Sequence, residues 1–190
     1  MDTTAQKSCC YWLTGLSGAG KSTIANLIDE TLRAQGYRSF VLDGDRLRLG
    51  LNNNLSFTKA DRSENVRRIS EVAKLMVEAG LVVVVSAISP YEDDRQAARR
   101  RFRNDEFFEV FIDTDIEVCM ERDPKGLYRR AKAKEITHFT GVDDPYERPT
   151  HPEFLIDTDL LSARAATDQI VKHYLALNTS AGVQPAYGVR

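Results

Sequence analysis

The run Gly15-Leu16-Ser17-Gly18-Ala19-Gly20-Lys21-Ser22, with Thr23 after it, completes a G-x4-G-K-[ST] pattern. The spacing has a chemical reason: glycines let backbone N–H groups wrap a phosphate, the lysine reaches the terminal phosphates, and the hydroxyl after it is a ligand for Mg²⁺. The helix expected to open there adds the positive end of its dipole. Tyr11-Trp12-Leu13 before the loop and Ile24, Leu27 and Ile28 after it supply the strand and helix that the pattern requires. Together they predict a nucleoside triphosphate site and phosphoryl-transfer chemistry.

Such transfer needs charge neutralisation, a metal and a positioned acceptor oxygen. Leu42-Asp43-Gly44-Asp45 places two carboxylates at the end of the second expected strand, on the sheet edge where the phosphate loop emerges. One suits Mg²⁺ held through water and the other suits the acceptor's proton; strand alternation does not decide which, because Gly44 can bend the chain. Arg46, Arg48, Arg62, Arg67 and Arg68 follow, and guanidinium forks match anionic oxygens. Asp61, Glu64, Arg68 and Glu71 have the spacing of helical ion pairs, so part of this cluster is structural. Arg99-Arg100-Arg101 is read as a solvated helix end.

Positioning these groups takes an alternating α/β chain. Strand-like runs recur at Cys10–Thr14, Phe40–Asp43, Leu81–Ser86, Phe107–Asp113 and Phe154–Asp157, with helical periodicity at Ser22–Ala34, Lys59–Ala79, Glu92–Arg103 and Ser162–Leu177. This alternation, with the phosphate loop, predicts a single-domain α/β fold, its parallel sheet flanked by helices on both faces. Val82-Val83-Val84-Val85 is β-branched throughout, as a central strand requires. From Gly126 to Pro152 the rhythm fails; the segment turns basic (Arg129, Arg130, Lys132, Lys134) and then turn-rich, as a mobile lid at about residues 124–152 would be. The domain is expected over 1–178, with a loose polar tail at 179–190.

At 190 residues and a formal charge of -2, the chain suits one compact domain and lacks the basic excess of a nucleic-acid or membrane-surface binder. Cys9, Cys10 and Cys119 are odd in number and form no C-x2-C pair, which suggests reduced thiols, and His138, His151 and His173 lack metal-ligand spacing. Neither a leader pattern nor a membrane-length apolar run is evident, so a cytoplasmic protein is expected. Thr58-Lys59-Ala60-Asp61 imitates a guanine-recognition motif, but it opens a helix instead of following a late strand.

Beyond the phosphate loop, several separated blocks resemble the adenylyl-sulfate kinases (APS kinases). They are Leu42-Asp43-Gly44-Asp45 with Arg48 and Gly50-Leu51-Asn52; Asp61-Arg62 with Glu64-Asn65 and Arg67-Arg68; Ile88-Ser89-Pro90-Tyr91; Asp123 to Tyr128; and Phe139-Thr140-Gly141 with Asp144 to Glu147. The resemblance spans roughly residues 10–160. It implies transfer of the γ-phosphate of ATP, with Mg²⁺, to the 3′-hydroxyl of adenosine 5′-phosphosulfate (APS), giving 3′-phosphoadenosine 5′-phosphosulfate (PAPS). It further implies a single-domain P-loop kinase fold and a homodimer, with an ATP sulfurylase as a candidate partner.

Carried over by residue, the resemblance assigns ATP to Gly15 through Thr23 and Lys125, and metal to Ser22 and Asp43. Lys21, Asp45 and Ser89 become catalytic candidates. APS falls to Asp45, Arg48, Phe57, Arg62, Asn65, Ile88, Ser89 and Phe139, with the two phenylalanines sandwiching adenine. Ser89 matches a serine described in the family as a phosphoserine intermediate, and a substrate-positioning role fits it equally. Arg46, Ser56, Ala87 and Thr137 stand where the family more often has asparagine, glycine, phenylalanine and lysine. A kinase of the same fold with another small acceptor, or a nucleotide-binding regulatory module, are the competing readings.

Overall fold

In the computed structural model, residues 6–180 are described. Strand β1 (Cys9–Thr14) leads through the phosphate loop into α1 (Lys21–Ala34), and β2 (Ser39–Asp43) is followed by a short α2 (Gly44–Arg48). Then come α3 (Lys59–Glu78), β3 (Val82–Ser86), α4 (Glu92–Arg99), β4 (Phe107–Asp113), α5 (Ile116–Arg122), α6 (Leu127–Lys132), β5 (Phe154–Asp157) and α7 (Ala163–Ser180). The five strands form one sheet in the order β2-β3-β1-β4-β5, with every pair parallel. From β1 the chain crosses toward β2 and from β4 toward β5, so the connections diverge at the carboxyl ends of β1 and β4, where α/β sheets hold ligands.

Alternation along β1 explains the two-sided core. Cys9, Tyr11 and Leu13 pack with Ile24, Ile28 and Leu32 of α1 and Ile170 and Tyr174 of α7, while Cys10 and Trp12 pack with Val66, Ile69 and Ala73 of α3 and Phe102. Adjacent cysteines thus face opposite layers, and all three thiols are free and buried. Both layers of side chains leave water entirely at β1 and at Val82–Val85, and this burial is the main stabilising term of a sheet covered on both faces.

Four departures from the sequence-based expectation have local causes. Helix α4 ends at Arg99 instead of Arg103, because tight turns (Arg101 N–H to the Ala98 carbonyl, Phe102 N–H to that of Arg99) swing Phe102 down against the Phe107 ring, 5.2 Å away. The arginines there are not simply solvated: Arg99 forks onto Glu153 at 2.7 and 2.8 Å, and Arg101 bonds Glu71 at 3.0 Å. The arrhythmic stretch after Gly126 contains α6, capped by Gly126 in the left-handed conformation. Helix α7 runs through Ser180, so the first two residues assigned to the tail are helical, and the remainder lies outside the described residues.

Candidate active site

The phosphate loop is built by backbone geometry. Gly15, Gly18 and Gly20 all have positive φ, and a Cβ at Gly15 would lie 2.5 Å from the Ile112 carbonyl oxygen, so that position admits only glycine. Neighbouring elements hold the loop in place: Thr114 Oγ1 donates to the Ala19 carbonyl at 3.1 Å and Tyr128 Oη to that of Ser17 at 2.9 Å. Lys21 Nζ folds back onto the carbonyls of Gly15 (2.9 Å) and Leu16 (2.7 Å). Burial lowers the Lys21 pKa to about 8, with Asp45 opposing the shift.

At the end of β2, Asp43 acts as the N-cap of α2, its Oδ1 accepting the N–H groups of Asp45 (3.0 Å) and Arg46 (3.1 Å). That cap leaves Oδ2 to accept Ser22 Oγ–H at 2.7 Å, and the same hydroxyl lies 3.1 Å from Ser86 Oγ. A fixed carboxylate and a hydroxyl beside the phosphate loop form a hard-oxygen set that fits Mg²⁺. Asp45 lies one step along α2, exposed, and paired with the ammonium of Lys125.

A cavity of about 700 Å³ opens over these groups. Its phosphate end is formed by Ser17 through Thr23, with Asp43, Asp45 and Lys125. A second wall carries Arg48, Phe57, Arg62, Asn65 and Phe139, and its floor is Ile88-Ser89-Pro90. Gly15 and Leu16 are the exceptions among the anticipated site residues: they lie beneath the cavity and anchor Lys21 instead of lining it.

The second wall is cationic and aromatic. The Phe57 ring is half-exposed, with the Arg48 guanidinium 4.4 Å and that of Arg62 5.4 Å from its centroid. Arg48 Nη1 donates to the carbonyls of Leu55 and Ser56, and Arg62 Nε donates to that of Phe57 at 3.0 Å, so each arginine is oriented by backbone. Burial lowers the pKa of both. Phe139 is buried edge-on against Tyr128 at 4.9 Å, and Asn65 accepts from Asn52 at 2.9 Å. Ser89 takes a left-handed φ of 47°, and its Oγ accepts the indole N–H of Trp12 at 3.0 Å.

The third wall of the cavity joins Pro124 and Leu127, from the block around Lys125, to residues that the sequence did not single out: Arg122, and opposite it Thr158, Leu161, Ser162 and Ala163. The position of Thr158 just past a parallel strand's carboxyl end was the available signal.

Residues 7–157 match the family described as adenylylsulphate kinase. The chain belongs to the adenylyl-sulfate kinase family. It is 51% identical over 168 residues to the adenylyl-sulfate kinase of Marinobacter nauticus, covering 88% of this chain and 84% of that one. It is 56% identical over 166 residues to the bifunctional enzyme CysN/CysC of Xylella fastidiosa; that match covers 87% of this chain and only 26% of the longer protein. Among solved structures, the APS kinase CysC of Mycobacterium tuberculosis, in complex with AMPPNP and APS, superposes with a TM-score of 0.86. It shares 46% identity, with 90% of this chain and 99% of that chain covered. As in other adenylyl-sulfate kinases, the reaction class is phosphoryl transfer to an alcohol.

Proposed function

We propose that this chain transfers the γ-phosphoryl group of ATP to the 3′-hydroxyl of APS, releasing ADP and PAPS. The observation that carries the reading is one continuous cavity that joins a phosphate loop to a pocket of two arginines and an exposed phenylalanine. The loop's N–H groups and Lys21 hold the ATP phosphates, while Arg48, Arg62 and Asn65 hold the anionic acceptor and Phe57 and Phe139 flank its adenine. The longer relative is a bifunctional enzyme of which this chain matches one part, which supports association with a second enzyme; we assign that partner as an ATP sulfurylase, and with it a homodimer, a cytoplasmic location and a single domain that takes in α7.

The two aspartates divide their work by environment. Asp43 is occupied by two backbone N–H groups and Ser22; with Ser22 it would hold Mg²⁺, which supplies charge neutralisation at the transferring phosphate. Asp45 has an exposed carboxylate whose partner is a lid lysine, and it holds the proton of the acceptor hydroxyl. Lys125, released from Asp45 when ATP enters, then serves the ATP phosphates. Ser89 positions the acceptor: the partner of its Oγ is an indole N–H, which is a donor and takes no proton, so the hydroxyl lacks the base a nucleophile needs.

The test is ADP release by the purified chain with Mg·ATP and APS, set beside gluconate and AMP as acceptors. APS-dependent release with PAPS formed supports the reading. Turnover of another acceptor in its place, or tight ATP binding without turnover, would overturn it.

A further inference from the structure

Arg95 is a fully buried cation with no part in the chemistry above. From α4 its guanidinium reaches four acceptors, three of them on other pieces of the fold. Nε donates to Glu109 Oε1 on β4 at 2.8 Å, Nη1 to the Ser89 carbonyl at 2.7 Å, and Nη2 to the Glu147 carbonyl at 2.6 Å and to the Glu92 carboxylate. Burying a charge is unfavourable compared with an apolar side chain of the same size, even when it is paired. What a planar fork provides is fixed geometry between the segments it joins.

Two of those segments matter to the cavity. The first is the floor, where Ser89 keeps a left-handed backbone that side chains rarely adopt. It is held there by Trp12 on its hydroxyl, Arg95 on its carbonyl, and Thr14 Oγ1 on the Ile88 carbonyl at 2.6 Å. The second is the strap Asp144–Arg148. Glu147 N–H donates to the Pro90 carbonyl at 2.8 Å, Glu92 N–H to Glu147 Oε2 at 2.7 Å, and Tyr91 Oη to Asp144 Oδ2 at 2.8 Å. Tyr146 Oη meets Thr14 Oγ1 at 2.9 Å, and the Asp144 carbonyl accepts from Gly141, two residues past Phe139. Floor, strap and the Phe139 side of the pocket are therefore joined by one hydrogen-bonded network, with Arg95 at the junction.

We infer that Arg95 is a positioning residue for the acceptor: it fixes the Ser89 carbonyl to the strap and so sets the shape of the acceptor pocket without touching the substrate. The inference rests on the reading of Ile88–Pro90 as the acceptor floor. ATP affinity stays outside its reach, because the phosphate loop is held by Thr114, Tyr128 and Lys21, none of which bonds Arg95.

Arg95→Lys and Tyr91→Phe test this. The lysine keeps a cation beside Glu109 but cannot span the Ser89 and Glu147 carbonyls together, and the phenylalanine keeps the ring while deleting the bond to Asp144. Arg95→Lys is expected to raise the KM for APS about tenfold and Tyr91→Phe about threefold, with the KM for ATP and acceptor-free ATP hydrolysis held within about twofold of wild type. Unchanged APS KM in both variants, or APS and ATP KM rising together, overturns it. If Arg95→Lys does not fold, the same split in Tyr91→Phe decides. A wild-type chain that does not phosphorylate APS would instead bring down the functional reading, and this inference with it.

Discussion

Lys21 carries the clearest pH signature at the residue scale. Its folded pKa of about 8 lies below the ordinary 10.5 because the ammonium is buried. Between those values the unfolded chain binds more protons than the folded one, so this group's contribution to stability rises with pH in that window, while the cation needed for phosphate is lost. The kcat/KM for ATP is expected to fall with unit slope as pH passes about 8, and the kcat profile to break later because bound phosphates hold the proton on; a kcat/KM profile flat to well above that pH would contradict it. Asp45→Ala should lower turnover by orders of magnitude while leaving ATP affinity nearly intact, as single-turnover and binding measurements would show. Phe57→Ala should weaken APS binding by about 1–3 kcal/mol if stacking dominates, read as a rise in APS KM with ATP KM unmoved.

At the scale of elements, what could be read in the chain depended on length and partners. The boundaries of β4 and β5 follow from apolar runs with turn residues at both ends, and α3 from its long helical period; the structure adds a cap at its start, where Thr58 Oγ1 accepts Asp61 N–H at 3.3 Å. Loss of that cap in Thr58→Ala should cost about 1 kcal/mol, lowering the melting temperature by about 2–4 °C. Helices α2, α5 and α6 were illegible because five to seven residues give too few turns for a hydrophobic period. The ion pairs of α3 were only half legible. Glu64 does pair with Arg67 and Arg68, but Asp61 serves Ser56 and Thr58 in the turn before the helix, a tertiary choice that spacing alone does not encode.

For the whole molecule, the phosphate loop, the two aspartates, Arg48 and Arg62 stand out in the sequence, since each sits in a contiguous motif; the cavity gathers them from α1, α2, α3 and the loop after β3. Hidden in the sequence were the relations that make them one site: the Thr158–Ala163 wall, brought round by the last crossover, and the Arg95 junction, whose acceptors Glu109 and Glu147 lie far along the chain. Phosphoryl transfer across this cavity runs straight from ATP to the acceptor hydroxyl, and a rapid-quench single turnover with γ-labelled ATP, Mg²⁺ and APS decides it. Label should reach the 3′-position of PAPS at the rate of ADP formation, with none on the protein. Label accumulating on Ser89 before PAPS forms, or PAPS failing to acquire it, would rule direct transfer out.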